Sequence, residues 1–512
     1  MHIVLISPYS GIEATGLRVL SSCLKAAGAT TSMIFLPNLE EAMAGDHFHV
    51  RNVEPELVQQ MTTICASADL IAMSVMTPSF HMARCLTEAI KANLSIPVIW
   101  GGIHPTVRPD ECLQCADLVC VGEGEQAMVE LMQALATGRS YASINNLGYL
   151  DQDGHLVLNP LNPLLTDLDA LPFPDYAFED HYLLHEAKLT RATERLMHYY
   201  MTDLGSWASG PVYGVLTMRG CPYHCTYCAN NALMDIYDHW SHLRRRSPAS
   251  VIAEIQAIRE RLPQIEAIIL RDDTFLANAT DYIAEFSRLY REEVGLPFRA
   301  YTTAQTADPV KLQYLADAGL RYVIMGIQSG SRRIQKLYER KATNERVLQA
   351  ARVIHQFAAW APRPTYDVIT DNPYETLEDR WVTLQLIHQL PPPYRLSLYA
   401  LTFYPGTDLY HRAIADGYIT PDDQRSYAYN FQIIASTYYN FALFCHSLNL
   451  PRIFLRILAT YEVFRLMSLE PLDRLAGRLL DGLLALRLWR NTRLYARRHV
   501  AWLETEEVEA HG

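Results

Sequence analysis

Short apolar runs separated by segments of helical spacing fill residues 1–135. His2–Ser7, Thr31–Leu36, Leu70–Val75, Ile96–Trp100 and Leu118–Val121 are rich in Ile, Val, Leu and Met. Runs of this length, apolar on both faces, predict strands covered on two sides. Leu17–Ala27 carries helical apolar spacing and stops at Gly28. Five strands alternating with helices predict an α/β fold with a doubly wound sheet, flavodoxin-like or Rossmann-like. The alternation returns over residues 211–410, with strands expected at Tyr213–Met218, Ile265–Leu270, Phe298–Thr303, Tyr322–Ile327, Thr365–Thr370 and Leu396–Phe403. Helical segments lie between them, such as the one opened by Ser247-Pro248, so a second parallel sheet is expected. Residues 136–205 lack this rhythm. Asn159-Pro-Leu-Asn-Pro163 and Leu171-Pro-Phe-Pro174 mark a connector, with a helix expected over His181–Met201. The pattern thus divides the chain into 1–135, a connector 136–205, 206–410, and a helical region 411–512.

The length of 512 residues fits several domains. A net charge of −12 gives no general affinity for nucleic acid. No run of about 18 apolar residues occurs, so no membrane-spanning helix is expected, and the opening residues read as a strand rather than a secretory signal. Of ten cysteines, seven are scattered, which argues against a disulfide framework and suits a reducing cytoplasm. Cys112 and Cys115 form a C-x-x-C, read as two small residues near a helix.

The other three cysteines fall in Arg219-Gly-Cys221-Pro-Tyr-His-Cys225-Thr-Tyr-Cys228. Three thiolates can hold three irons of a [4Fe–4S] cluster and leave the fourth open to a ligand. A zinc site with His224 or a distant residue as fourth ligand is the plainer alternative, but a second C-x-x-C pair is lacking nearby. The C-x3-C-x2-C loop, with Tyr227 before its last cysteine, resembles the cluster loop of the radical S-adenosylmethionine (SAM) superfamily. The resemblance implies that Cys221, Cys225 and Cys228 ligate the cluster, that its open iron chelates SAM, and that residues 206–410 form a partial (β/α)6 TIM-type barrel.

Other positions follow from the same resemblance. Asp272 and Asp273, after the second strand, stand where the family meets the methionine end of SAM. Gln328 and Ser329, after the fourth, resemble polar SAM contacts, and Tyr227 would lie beside the adenine. For the aspartates an N-cap or salt bridge is the competing reading. Residues 1–135 resemble the cobalamin-binding domain that precedes many radical SAM domains, through Ser74-Val-Met-Thr77, Gly101-Gly-Ile-His-Pro-Thr106 and Gly122-Glu-Gly-Glu125. Ser74, Thr77, Gly101, Gly102, Gly122 and Glu123 are the implied cobalamin contacts. The D-x-H-x-x-G loop of other cobalamin proteins is missing after the first strand, where Ser7–Gly16 stands instead. No histidine ligand to cobalt is therefore expected, and His104 is read as a turn histidine.

Residues 427–444 are aromatic-rich, Leu472–Trp489 has leucines at helical spacing, and ten arginines fall between Pro451 and Val500. A helical cap on the barrel is expected, with contact to an anionic membrane as the alternative for this basic amphipathic region. Taken together, the resemblance implies an enzyme that methylates an unactivated carbon of a small, apolar substrate through a 5′-deoxyadenosyl radical and methylcobalamin. Its implied partner is an electron donor such as flavodoxin or ferredoxin. A cyclisation or rearrangement like that of the anaerobic magnesium-protoporphyrin ester cyclase is the alternative reaction, and a non-catalytic cobalamin or redox sensor the alternative class.

Overall fold

The computed structural model describes residues 1–489 except 10, 38–42, 47–48, 203–206, 209, 238–242, most of 422–433, and 488. Arg490, Arg493, Arg497 and Arg498, four of the ten C-terminal arginines, lie outside the described residues.

In chain order the strands of the first half are β1 His2–Ser7, β2 Thr30–Phe35, β3 Met43–Asp46, β4 His49–Val53, β5 Leu70–Ser74, β6 Val98–Gly101, β7 Leu118–Cys120, β8 Leu147–Leu150, β9 Leu156–Leu158, β10 His181–His185 and β11 Lys188–Arg191. Those of the second half are β12 Val212–Val215, β13 Met218–Arg219, β14 Arg244–Arg245, β15 Ala267–Leu270, β16 Phe298–Thr303, β17 Leu320–Gln328, β18 Thr365–Thr370 and β19 Arg395–Ala400.

The first sheet runs β11-β10-β2-β1-β5-β6-β7-β8-β9. Its parallel centre, β2-β1-β5-β6-β7, has the flavodoxin order, which places a ligand crevice at the carboxyl ends of β1 and β5. Strand β1 shows why the sequence folds this way. Ile3 and Leu5 enter one apolar core, Val4 and Ile6 the other, and all four are wholly buried. The core that takes Ile3 and Leu5 continues without a break through Tyr176 and Tyr213 into the second half of the chain.

Residues 136–205, expected as a connector, supply four strands to the edges of this sheet. Strands β8 and β9 extend β7 antiparallel, and β10 runs parallel to β2. The helix expected over His181–Met201 is confined to Glu194–Met201, capped by Thr193; a hairpin of β10 and β11 precedes it. Its two-residue turn, Glu186-Ala187, has φ of 48° and 62°. Both values belong to a turn that normally uses Asn-Gly, so its residues carry no hairpin signal.

The second sheet, β12-β15-β16-β17-β18-β19, has six parallel strands in sequential order, with helices such as Pro248–Arg261, Thr280–Glu293 and Leu377–Gln389 in the crossovers. This is the open barrel expected. The strand expected over Tyr213–Met218 is shorter, because Thr217 and Met218 donate their amides to Asp272 and leave the ladder. Met218–Arg219 then pairs with Arg244–Arg245 as a separate ribbon.

The C-terminal region is helical, as Tyr438–Ser447, Arg452–Ala459, Tyr461–Met467 and residues 470–487. It caps the barrel: Trp381 donates to the Ala459 carbonyl (3.0 Å), and Asp371 accepts from Ala435 and Asn440 (both 2.8 Å). Gly477 lies so close to the Ser436 backbone that a Cβ there would overlap it. Leu475 and Leu479, two residues either side and about 200° around the helix, face outward and are exposed. Leu480, in the same helix, is wholly buried, so the leucines of this segment divide between an exposed face and a packed one.

Candidate active site at the barrel mouth

The cysteine loop leaves the barrel through Gly220, whose φ of 92° suits glycine. Cys221 and Cys225 are buried and Cys228 is half-buried. The Cys228 amide donates to the Cys225 carbonyl (3.0 Å), and the helix Ala229–Ile236 begins directly afterwards. Thr226 anchors the loop by donating its hydroxyl to the Leu337 carbonyl (2.7 Å), while its own carbonyl accepts from the Leu409 amide (2.9 Å). Tyr227 packs edge-on against Tyr338, with ring centroids 4.9 Å apart.

The donor set fits a cluster better than zinc. Thiolates around one zinc at about 2.3 Å sit roughly 3.8 Å apart. Among the described residues the only three potential ligands whose donor atoms gather within 4.8 Å are Asp151, Asp153 and His155, all exposed. At least one pair of the three loop sulfurs is thus more than 4.8 Å apart, wider than a mononuclear site allows. Burial pushes the Cys221 and Cys228 thiols up to about 12, so a metal centre there must displace their protons. Cys112 is wholly buried and Cys115 partly so, with no third ligand gathered beside them among the described residues.

The expected SAM contacts separate into two groups. Asp272 is 2% exposed, and its carboxylate accepts from the Thr217 amide (2.8 Å), the Thr217 hydroxyl (2.7 Å) and the Met218 amide (2.9 Å). It holds the start of the cysteine loop and is not free to meet a ligand, which corrects that expectation for its side chain. Ser329 is likewise fully buried, with its hydroxyl on Thr383 (3.1 Å) and the Ser331 amide (3.2 Å). Asp273 is different: it is exposed to the cavity, held among the described residues by Asn230 alone (2.7 Å), and burial raises its carboxyl above the usual range. Gln328 ends β17 with φ 68°, and Asp371, just past β18, has φ 56°. Two neighbouring strand ends in the left-handed region are a strain more often found at functional sites than elsewhere.

Asp273 shares a cavity of about 350 Å³ with Gly102, Thr106 and Gly122 of the first sheet and Met218, Gly220 and Asn230 of the cysteine loop region. The carboxyl ends of the first sheet therefore face the barrel mouth. Thr106 ties two of those ends together, donating to the Gly102 carbonyl (2.7 Å) and accepting from the Gly122 amide (3.0 Å). Gly102, at φ 101°, leaves no room for a Cβ, which would sit 2.8 Å from the Val75 carbonyl. At Gly122 the Tyr237 hydroxyl occupies that space. Glycine at these two positions is therefore set by the protein's own packing, against the Val75 backbone and the Tyr237 side chain. Ser74 is half-buried beside Gly102, whereas Thr77 is buried with its hydroxyl on His104 (3.2 Å). His104 is wholly buried against Phe80 (4.7 Å) and pushed down to about 3 by burial, which leaves it a structural histidine.

Several contacts at this junction carried no sequence signal. Glu123, expected as a cofactor contact, directs its carboxylate to two arginines instead. Arg244 grips it with both guanidinium nitrogens (2.8 and 2.6 Å), and Arg219 adds a third contact at 3.1 Å. Arg219 also meets Glu125 at 2.6 Å. Glu13, from the loop after β1, pairs with Arg271 at the end of β15. Arg340 reaches the cysteine loop itself, 3.8 Å from the Cys225 sulfur and 3.3 Å from the Tyr227 hydroxyl. The long sequence separations involved, 115 residues from Cys225 to Arg340, hide these pairs from any local pattern.

Comparison with known proteins agrees with this geometry. Residues 215–387 match the radical SAM superfamily and residues 1–132 the B12 binding domain. An uncharacterized methyltransferase of Pyrococcus horikoshii is 27% identical over 365 residues, 70% of this chain and 72% of that protein. The anaerobic magnesium-protoporphyrin IX monomethyl ester cyclase of Rubrivivax gelatinosus is 26% identical over 335 residues, 63% of this chain and 54% of that one. The chain thus spans little more than half the length of the cyclase. Among solved structures, the radical SAM methyltransferase TsrM from Kitasatospora setae, with tryptophan and a SAM analog bound, superposes with a TM-score of 0.63 at 18% identity, covering 81% of this chain and 76% of TsrM. At that identity the likeness concerns the fold. The two matched domains imply a [4Fe–4S] cluster, SAM and cobalamin. With its cysteine loop, open barrel and flavodoxin-ordered sheet, the chain belongs to the radical SAM superfamily, as a member with a B12 binding domain ahead of the radical SAM domain.

Proposed function

We propose that this protein is a cobalamin-dependent radical SAM enzyme that transfers a methyl group to an unactivated carbon of a small molecule. The observation that carries the reading is the shared cavity, in which the cysteine loop and the glycine-edged strand ends of the first sheet line one space. When bound, the cluster and SAM supply a 5′-deoxyadenosyl radical and cobalamin carries the methyl group.

The chain's own residues would hold and orient these groups. Cys221, Cys225 and Cys228 would ligate the cluster, and Asp273, positioned by Asn230, would meet the charged end of SAM. Gln328 and Tyr227 would border SAM from the other side. Gly101, Gly102 and Gly122 would admit the corrinoid edge beside Ser74. The Glu13–Arg271 pair ties the loop after β1 to the end of β15. Substrate, SAM and corrinoid would then be aligned by two domains that share one apolar core, which is where orientation contributes to rate.

The likeness to the ester cyclase favours a second reading, oxidative ring closure. Anaerobic reconstitution with iron, sulfide and cobalamin, followed by mass spectrometry of candidate substrates incubated with methyl-labelled SAM, separates the two. A labelled methyl in the product is expected; a product that loses hydrogens and gains no label would replace methylation by cyclisation. Peripheral membrane contact through the C-terminal region remains part of the proposal on one observation. Among the described residues, eleven of the nineteen exposed large apolar side chains lie between Leu448 and Trp489, interspersed with arginines.

A further inference from the structure

Reduction of the centre held by the cysteine loop requires an electron from outside the chain, and the structure offers one built approach to it. A cavity of about 390 Å³ opens at the surface just past the carboxyl end of β17, between the helix Arg332–Leu337 and the start of the helix Asn344–Gln356. Four of its lining residues are cations, Arg332, Lys336, Arg340 and Lys341, against a single carboxylate, Glu345. Arg332, Lys336 and Lys341 are exposed and, among the described residues, make no salt bridge. Arg340 is different. It lines the same cavity, but its guanidinium points inward, to the Cys225 sulfur at 3.8 Å, the Tyr227 hydroxyl at 3.3 Å and the Gly326 carbonyl at 2.8 Å. One side chain therefore touches both a cationic surface cavity and an expected cluster ligand.

We propose that this cavity and its rim are the docking surface for a small acidic one-electron carrier protein. Two physical points support that occupant. The chain as a whole carries −12, so a cationic patch beside a cluster ligand inverts the local field and attracts an acidic partner to that spot. The patch shares no lining residue with the cavity between the two sheets, so a carrier docked there leaves that cavity open. Redox encounters of this kind use small, weak, salt-sensitive interfaces, which a few exposed lysines and arginines can provide. The step is simple in its balance. A reduced flavin of the carrier loses one electron, the centre held by Cys221, Cys225 and Cys228 gains it, and no atom or proton crosses.

The inference rests on the reading of those cysteines as cluster ligands, and its test keeps the two apart. Reduced flavodoxin is mixed with anaerobically reconstituted full-length protein, and loss of the reduced-flavin signal is followed by stopped flow at increasing salt. The variant carries R332E, K336E and K341E. Its iron content and its cluster EPR signal after dithionite should match the parent, since dithionite needs no docking surface. Its second-order rate with flavodoxin should fall by about 10-fold or more at low salt and approach the parent above about 0.5 M salt. An unchanged rate with flavodoxin overturns the proposal. So does a patch that binds pyrophosphate tightly while electron transfer is unaltered, which would make it a small-anion site. If the triple reversal also loses iron, the milder K336Q/K341Q pair, read the same way, decides: a normal rate with normal iron overturns the docking surface, and a reduced rate with normal iron supports it.

Discussion

Replacing Glu123 with alanine removes the acceptor at the centre of the domain junction. In the native protein its carboxylate takes two parallel contacts from Arg244, at 2.8 and 2.6 Å, and one from Arg219 at 3.1 Å. The Arg244 side chain is 8% exposed, that of Glu123 22%. These arginines hold the carboxyl below its usual range, so the pair is fully ionised near neutral pH. Breaking a buried pair from one side costs about 3–5 kcal/mol, and the partial exposure of Glu123 places this case near 3. Arg244 keeps the Leu165 carbonyl (2.8 Å) and Arg219 keeps Glu125, which limits the damage further. Glu123→Gln retains shape and one acceptor, and about half that loss is expected. The assay is urea unfolding of the apoprotein near neutral pH, followed by fluorescence, for E123A, R244A and the double variant. A coupling of about 2 kcal/mol is expected, with little further loss in the double variant. Because Arg219 lies two residues before Cys221, reconstituted iron content should also fall in E123A. A destabilisation below about 0.5 kcal/mol, or fully additive single losses, would refute the clamp.

Two further outcomes follow from the site. Cys221→Ala, Cys225→Ala or Cys228→Ala should each abolish the iron–sulfur chromophore, whereas the double change C112A/C115A should leave iron content as it was; loss of about half the iron in the latter would point to a second centre. Glu375 has a wholly buried carboxylate with neither oxygen hydrogen-bonded, its nearest cation Arg380 at 3.8 Å, and burial raises it to about 8. The folded state therefore binds this proton more tightly than the unfolded chain between about pH 4.3 and 8, and stability falls as pH climbs through that window. Glu375→Gln should match the parent near pH 5 and exceed it by a few kcal/mol near pH 9 in urea unfolding; a difference independent of pH would show the carboxylate to be otherwise satisfied.

The strand pattern was legible because both sheets are parallel and buried, and buried strands announce themselves as apolar runs. Every strand of the flavodoxin-ordered centre and of the barrel was placed to within a few residues, and the cysteine loop was identified by its spacing. Where the reading failed, the deciding interaction was distant. Residues 181–191 fold as a hairpin because β2 offers an edge about 150 residues earlier, and their turn uses Glu-Ala in place of Asn-Gly. Asp272 and Asp273 are adjacent in sequence and chemically alike, but one is locked onto Thr217 while the other faces the cavity. Nothing in the dipeptide distinguishes them. Arg340 reads in the sequence as one of several cations after β17, and its contact with Cys225 depends on how β17 and the cysteine loop meet.

The edge pairing of β10 with β2 bears on how this chain is made. On the ribosome, β1 and β2 emerge early, and their parallel partners follow by residue 120. The outer edge of β2 then waits for His181–His185, about 146 residues after Phe35. At about 5–20 residues per second, that edge stays open for roughly 7–30 s. During that interval it presents Met33, Ile34 and Phe35, all wholly buried in the finished protein, beside unpaired backbone. Until β10 arrives, the nascent sheet has a free template for pairing with a neighbouring chain, and fast synthesis or chaperone cover over this interval should raise the yield of soluble protein.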